Sequence, residues 1–546
     1  MDTPPIRQGS GAYVYDNGLQ TRDRITANVF QRCLWGRPPS VTGLKYPAAK
    51  IGIPFSFAGF FMSVCGFDRP SSASGRAPDA VSYVSRVART GLLVAALLAV
   101  SGIVLADTGA AREVEPNVLV PAGDLHHAPA ARPDRIVASP AADPARGFQV
   151  AWRTSLGIES PLLELAVADD SPDMGEPLQL AARSSRLESE TGAAGYHQVE
   201  IEGLEPDTLY VFRVQGANGW WSPWRQLRTA AAPGAPLEFL YFGDTQNKNA
   251  SHSTRVLLEA QRHAPRARLA LFTGDQVSGG DGEDDSEWGE WFDAVAPVAG
   301  TMLVAPVAGN HEYFEEFEDT PQERRVLGLH WPQVYALPGN GAPGAEATTY
   351  WFDMHDARFV VLDGTSALDL GTAVAQAEWL DGVLAASPRE WSIVAIHQPM
   401  FSPRQDRDNA LLREHVLPVL ERHRVDLVLQ GHDHVYGRRG GLIDGQGTPQ
   451  YLVSVVGAKQ YRHSPEARAT MAPIAEDTQL FQVVRIEDGE LRYEARTVTG
   501  RLYDAFSLVG DRASGRRIVE HPEGRIGQRD CPRDATLKGR TDRCWE

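Results

Sequence analysis

Cysteine is scarce in this chain, with four among 546 residues, and an excess of positive charge is missing altogether. The 53 Lys and Arg stand against 70 Asp and Glu, a formal charge of −17. That balance argues against a nucleic-acid surface, because grip on a phosphate backbone relies on clustered Lys and Arg. It leaves room for a small phosphorylated substrate, since metal ions can supply positive charge inside an acidic protein. A membrane-spanning run is also lacking: the apolar stretch at 91–106 has 16 residues, short of the roughly 20 that a spanning helix needs. There is no internal repeat. The acidic run at 281–287 lacks the spacing of an EF-hand and reads as a solvated loop beside a helix N-terminus.

What the 91–106 stretch does have is a basic flank, Arg86 and Arg89, and small residues at its exit, ending in Ala106. This is the pattern of a secretory signal at 86–106, and it predicts export to a periplasmic or extracellular space. Residues 1–85 show no periodicity and read as a leader outside the fold, with the true start at Met62 or later. Cys33 and Cys65 precede the signal and would be lost with it. Cys531 and Cys544 remain, without nearby histidines for a metal site, and a disulfide between them would contribute about 3 kcal/mol in an oxidising compartment.

A Pro/Ala-rich linker follows at 107–132. Five runs with period two (135–139, 148–152, 162–167, 197–201 and 210–214) and a last strand near 220–229 predict an all-β sandwich over 133–230. The stretch at 203–210 resembles the tyrosine corner of fibronectin type III domains, with Tyr210 as its tyrosine. From 237 to 510 strands and helices alternate, which predicts a layered α/β domain with parallel strands. Residues 511–546 read as a C-terminal tail.

Five predicted strands end in polar residues able to hold a metal: Gly243-Asp244-Thr245-Gln246, Gly274-Asp275, Gly309-Asn310-His311-Glu312, His397, and Gly431-His432-Asp433-His434. In α/β folds the site lies off the carboxyl ends of the strands, so these tips should converge. Extended backbone would point His432 and His434 the same way, into one small volume.

This ordered set resembles the calcineurin-like metallophosphoesterases, and with the sandwich in front the chain looks like their purple acid phosphatase branch. The resemblance implies a four-layer α/β/β/α catalytic domain behind a fibronectin type III-like sandwich. It also implies a binuclear centre, with Asp244, Asp275 and His434 on one metal and Asp275, Asn310, His397 and His432 on the other. Oxygen and imidazole donors suit Fe, Mn or Zn without choosing among them. His311 matches the family position that protonates the leaving group or binds phosphate. Glu312 and Asp433 are expected to orient imidazoles.

Two family features are absent. A purple acid phosphatase has a metal-binding Tyr three residues after the second Asp; here the position is Ser278, which predicts a protein without the violet colour. Other branches place a His two residues after the first Asp, where this chain has Gln246, a candidate weak ligand. The loop after His397 lacks the histidines of the plant-like enzymes and offers Arg404 and Arg407 as candidate phosphate clamps. The expected reaction is hydrolysis of phosphate monoesters by metal-bound hydroxide. The alternatives are a phosphodiesterase acting on nucleotides or phospholipid head groups, and a non-catalytic binder working through the sandwich.

Overall fold

The computed structural model describes residues 126–546 apart from 279–283, 318–319, 406, 441–447, 532–543 and 545–546. The leader at 1–85, the signal at 86–106 and most of the 107–132 linker lie outside the described residues.

Eight strands form the N-terminal sandwich: β1 (Asp134–Pro140), β2 (Phe148–Ser155), β3 (Leu162–Val167), β4 (Leu178–Ala181), β5 (Arg183–Ser189), β6 (Gly192–Ile201), β7 (Leu209–Val214) and β8 (Arg225–Arg228). They pair antiparallel in two sheets, ordered β1-β2-β6-β5 and β4-β3-β7-β8. Phe148, Val150, Trp152, Leu163, Leu165, Phe212 and Val214 fill the space between them. The tyrosine corner is present: the backbone N–H of Glu205 donates to Tyr210 Oη at 3.0 Å. Strands β4 and β5 were not expected, since β5 is polar and mostly exposed and carries no apolar alternation.

The catalytic domain holds β9 (Leu237–Phe242), β10 (Leu269–Phe272), β11 (Leu303–Pro306), β12 (Tyr313–Glu316), β13 (Arg324–Leu327), β14 (Tyr350–Met354), β15 (Ala357–Val361), β16 (Trp391–Ala395) and β17 (Leu427–Gln430). It continues with β18 (Tyr436–Gly440), β19 (Gln450–Val453), β20 (Ile474–Ala475), β21 (Leu480–Glu487), β22 (Glu490–Thr497), β23 (Leu502–Val509) and β24 (Arg517–Glu520). Two seven-stranded sheets result, β11-β10-β9-β21-β22-β23-β24 and β14-β15-β16-β17-β19-β18-β20. In the first, β9, β10 and β11 run parallel; in the second, β15, β16, β17 and β19 do.

Alternation along each strand builds the four layers. Phe239, Tyr241, Leu269 and Leu271 of the first sheet meet Phe359, Ile393, Leu427 and Leu429 of the second, with the Phe239 and Phe359 rings 5.2 Å apart. The residues between them on the first sheet, Leu240, Phe242, Ala270 and Phe272, face outward to helices Thr254–His263 and Asp285–Ala299. Val360, Val394 and Val428 of the second sheet pack on Leu380 and Leu384 of helix Ala373–Ala385 and on Leu412 and Val416. Helix Asp285–Ala299 starts where Asp284 accepts from the Ser286 and Glu287 amides, the N-cap that acidic residues favour.

The segment read as a tail is not one throughout. β24 pairs with β23 and adds the seventh strand to the first sheet, and Arg529 bridges Ala475 of the second. Beyond them Cys531 and Cys544 form a disulfide.

Candidate metal centre

The strand tips divide by chemistry. After β9, β10 and β11 the first sheet delivers Asp244, Asp275 and Asn310; after β16 and β17 the second delivers His397, His432 and His434. A parallel bridge between Asp244 and Val455 ties the two sheets at this edge. Carboxylates from one layer thus face imidazoles from the other. Two clusters form, Asp275 with His397 and His432, and Asp244 with Asp275 and His434, and Asp275 belongs to both.

Close approach is permitted by glycine where the ligands cross. A Cβ on Gly309 would lie 2.2 Å from Asp275 Oδ1, and one on Gly431 would lie 2.2 Å from Asp244 Oδ1. The backbone itself is bent here. Asp275, His432 and His434 all have positive φ (52°, 74° and 48°), a costly conformation for residues with side chains. His432 and His434 therefore do not project from extended backbone into one volume. Each left-handed turn re-aims its ring, and they enter different clusters.

The orientation of each imidazole is set by what its other nitrogen touches. His397 Nδ1 lies 2.6 Å from the Thr273 carbonyl and His434 Nδ1 lies 2.8 Å from that of Lys459. A carbonyl accepts only from N–H, so in both rings Nδ1 carries a proton and Nε2 is the nitrogen turned into the centre. His397 Nε2 is 3.1 Å from Asp275 Oδ1, 3.1 Å from His432 Nδ1 and 3.3 Å from Asn310 Oδ1. His434 Nε2 is 3.1 Å from Asp244 Oδ2, an oxygen buried without a hydrogen-bond partner. Buried carboxylate oxygens and imidazole nitrogens converging on one small volume, one oxygen without a hydrogen-bond partner, form a donor set that cations satisfy. The donor set is oxygen and imidazole nitrogen with no thiolate, and it fits two metal ions sharing Asp275.

Charge is balanced unevenly without them. Burial by itself would raise the Asp275 carboxyl, yet His397 and His311 hold it well below the usual carboxylate range. Burial would likewise lower His397, but Asp275 and Asp244 raise it to about 10. Burial, Arg407 and His397 push His432 well down.

Gln246, the candidate weak ligand, is buried in the centre and turns its nitrogen inward. Nε2 is 2.5 Å from Asp275 Oδ2 and 3.3 Å from His434 Nε2, while Oε1 is buried without a partner. Ser278 lies outside it, bonded through Oγ and N–H to Glu287 at 3.0 and 2.5 Å. His311 donates its backbone N–H to Asp275 Oδ1 at 3.0 Å and is part-exposed at the rim.

Two expected roles change. Glu312 touches no imidazole; its carboxylate accepts from the amides of Gly309, Asp275 and Gln276 at 2.6, 2.9 and 2.7 Å. It holds the backbone on both sides of Asp275, and burial together with the Asp275 charge pushes its pKa up to about 7. Asp433, fully buried, accepts from Ser402 Oγ at 2.6 Å and pairs with Arg407. It ties the loop after His397 to the metal-site turn. Arg407 Nη1 also donates to the His432 carbonyl at 3.2 Å, so its guanidinium stands beside the cluster that holds His432. Arg404 lies elsewhere, 4.2 Å over the ring of Tyr461, which also lies 4.8 Å from the His434 ring. Tyr461 was not singled out from sequence, since nothing in its surroundings marks a ligand neighbour.

Residues 237–436 match the family model of calcineurin-like phosphoesterases, and residues 133–229 match that of the purple acid phosphatase N-terminal domain. An uncharacterized protein of Mycobacterium tuberculosis is 27% identical over 332 residues, covering 55% of this chain and 60% of that one. The Fe(3+)-Zn(2+) purple acid phosphatase 12 of Arabidopsis thaliana is 26% identical over 259 residues, covering 45% and 52%. This chain thus spans about three fifths or less of the length of these relatives. Among solved structures, the purple acid phosphatase PPD1 of yellow lupin superposes with a TM-score of 0.57 at 16% identity, covering 69% of this chain and 74% of that one. PhoD superposes with a TM-score of 0.53 at 14% identity, covering 72% and 94%. The chain thus carries a calcineurin-like metallophosphoesterase domain behind a purple acid phosphatase N-terminal domain, the pairing that makes it similar to the purple acid phosphatases.

Proposed function

We infer that this protein is an exported hydrolase of phosphate monoesters. The observation that carries the reading is the pair of ligand clusters sharing Asp275, built from both sheets of the catalytic domain. Asp244, Asp275 and His434 would hold one metal, and Asp275, Asn310, His397 and His432 the other. Gln246 would add its amide oxygen to the first after a half-turn that exchanges Oε1 and Nε2. When bound, two such cations activate water and neutralise phosphoryl oxygens.

The chain's own groups then supply positioning and proton transfer. Glu312 fixes the amides flanking Asp275, and the Thr273 and Lys459 carbonyls fix the tautomers of His397 and His434. His311, at the rim, would give a proton to the leaving alkoxide. Arg407, braced by Asp433, would meet phosphate oxygens, and Arg404 would do so from its place over Tyr461. Export is supported by the disulfide, which persists in oxidising compartments. Among the described residues no helix is long and apolar enough to cross a membrane.

The test is hydrolysis of a chromogenic monoester and of the matching diester, with and without a chelator. Monoester turnover abolished by chelation supports the reading. Preference for the diester would move it to a phosphodiesterase, and chelator-resistant turnover would overturn it. The mass of protein recovered from the exported fraction should correspond to a start after Ala106.

A further inference from the structure

Strand β19 lies parallel beside β17, and the segment that leaves its tip, 454–461, contains no Asp, Glu, His or Cys. That segment nevertheless runs against the cluster of Asp244, Asp275 and His434. The amides of Val456 and Gly457 donate to the Asp244 carbonyl at 3.0 and 2.7 Å. Gly457 permits the approach, since a Cβ there would lie 2.3 Å from the Gln246 carbonyl oxygen. His434 is held at two points: its Nδ1 donates to the Lys459 carbonyl at 2.8 Å, and its own carbonyl accepts from the Tyr461 amide at 3.2 Å. With φ at 48°, His434 keeps a conformation that persists only where its neighbours fix it.

A third contact comes from a side chain. The buried Tyr461 ring packs with Val435, Met471 and Ile474 and lies 4.8 Å from the His434 ring, tilted at 59°. Its hydroxyl has no hydrogen-bond partner among the described residues, so what Tyr461 contributes here is the ring. The same ring carries Arg404, whose Cζ is 4.2 Å from its centroid, and Lys459 Nζ is 5.5 Å away. Backbone pairing brings Arg404 there: it forms an antiparallel bridge with His463, and the Ser464 amide donates to the Pro403 carbonyl at 2.8 Å. A guanidinium over an aromatic face is held by the ring's quadrupole. The other cluster is braced differently, by the Thr273 carbonyl on His397 and by the His397 and His432 rings, 4.8 Å apart.

We propose that Tyr461 is a positioning residue for the reaction, its ring seating both the His434 imidazole for the first metal and the Arg404 guanidinium for the substrate phosphate. The inference rests on the binuclear reading of the centre. It adds that the two metals depend on different supports: the first on the 454–461 segment and its tyrosine, the second on the paired rings of His397 and His432. Removing the Tyr461 ring therefore loosens one metal and the substrate together and spares the other metal.

The test uses the full-length protein in wild-type, Tyr461→Leu, Tyr461→Phe, Arg404→Ala and Tyr461→Leu/Arg404→Ala forms. Competition with a chromogenic chelator gives a dissociation constant for each metal, with His434→Ala identifying the first; KM and kcat are read on a chromogenic monoester at saturating metal. Tyr461→Leu should weaken the first metal about tenfold and leave the second within about twofold. It should also raise KM about threefold, more than it lowers kcat, and the double variant should show no higher KM than Arg404→Ala. Tyr461→Phe, which keeps the ring, should restore both quantities. Tyr461→Met takes the place of Tyr461→Leu if that form does not fold. A folded Leu or Met variant with wild-type affinity for the first metal, equal weakening of both metals, or a Phe variant as impaired as Leu would overturn the proposal alone. Wild-type protein without metal-dependent turnover would overturn the binuclear reading and this proposal with it.

Discussion

Asp275 belongs to both ligand clusters, and the residues around it are arranged to keep its backbone still. Glu312 supplies the restraint through three backbone amides. Glu312→Gln replaces an acceptor oxygen by a donor that cannot bond an N–H, stranding at least one buried amide at a cost of about 1–3 kcal/mol. Metal affinity should fall about 10–100-fold while the ligands themselves are intact, measured by competition with a chromogenic chelator. The candidate ligand residues were legible in sequence because each follows an apolar strand and lies within three residues of a glycine or, for His397, two residues past the strand end. The supports were not. Glu312 and Asp433 act on groups brought near by the fold, and positive φ at His432 and His434 leaves no mark in the residue order. His197 gives a second residue-scale prediction. It is buried between Thr154 Oγ1 and Ser184 Oγ, each 2.8 Å away, and burial lowers its pKa to about 4. The unfolded chain takes up a proton near pH 6.5 and the folded one near pH 4, so stability is complete above 6.5 and lost as pH falls between them. The loss is about 3 kcal/mol at most. His197→Gln should flatten the pH dependence of Tm in that window.

Among the elements, helix Asp285–Ala299 connects the sandwich to the catalytic site. Its first residue, Asp285, is buried among Arg135, Arg153, Tyr196 and His330, and two residues on Glu287 holds Ser278, three residues past Asp275. Burial opposes the Asp285 charge, but His330 and Arg135 hold its carboxyl far below the ordinary range. This contribution is present above the unfolded carboxylate pKa of about 3.9 and is lost as pH falls below it. Asp285→Asn leaves the buried Arg135 guanidinium without its carboxylate and should cost about 3–5 kcal/mol, measured by denaturant unfolding near neutral pH. Elements with apolar runs, such as β9, β10 and helix Thr254–His263, make up the alternation of strand and helix read from sequence at 237–510. The β12–β13 hairpin and β24 escaped notice because charged and half-exposed side chains dominate them and their pairing partners supply the order.

For the whole molecule, the division of labour between the sheets is the main consequence of the fold: acidic and amide donors come from the first, imidazoles from the second. The centre exists only where both sheets are packed together, so loss of the inter-sheet core should release metal along with unfolding. Calorimetric unfolding should therefore show metal release coincident with the catalytic domain's transition, and added metal should raise its Tm. The order of chemical types along strands was readable, because it is linear; their opposition across two layers was not, because it depends on how the sheets stack. The measurement that bears most directly on the central claim is metal content per chain in protein purified without added metal, for wild type, His434→Ala and Asp275→Asn. The account predicts two metals, one and none, with phosphomonoesterase activity lost in step. Wild-type protein that turns over substrate with one metal or none, or Asp275→Asn protein that retains two, would contradict it.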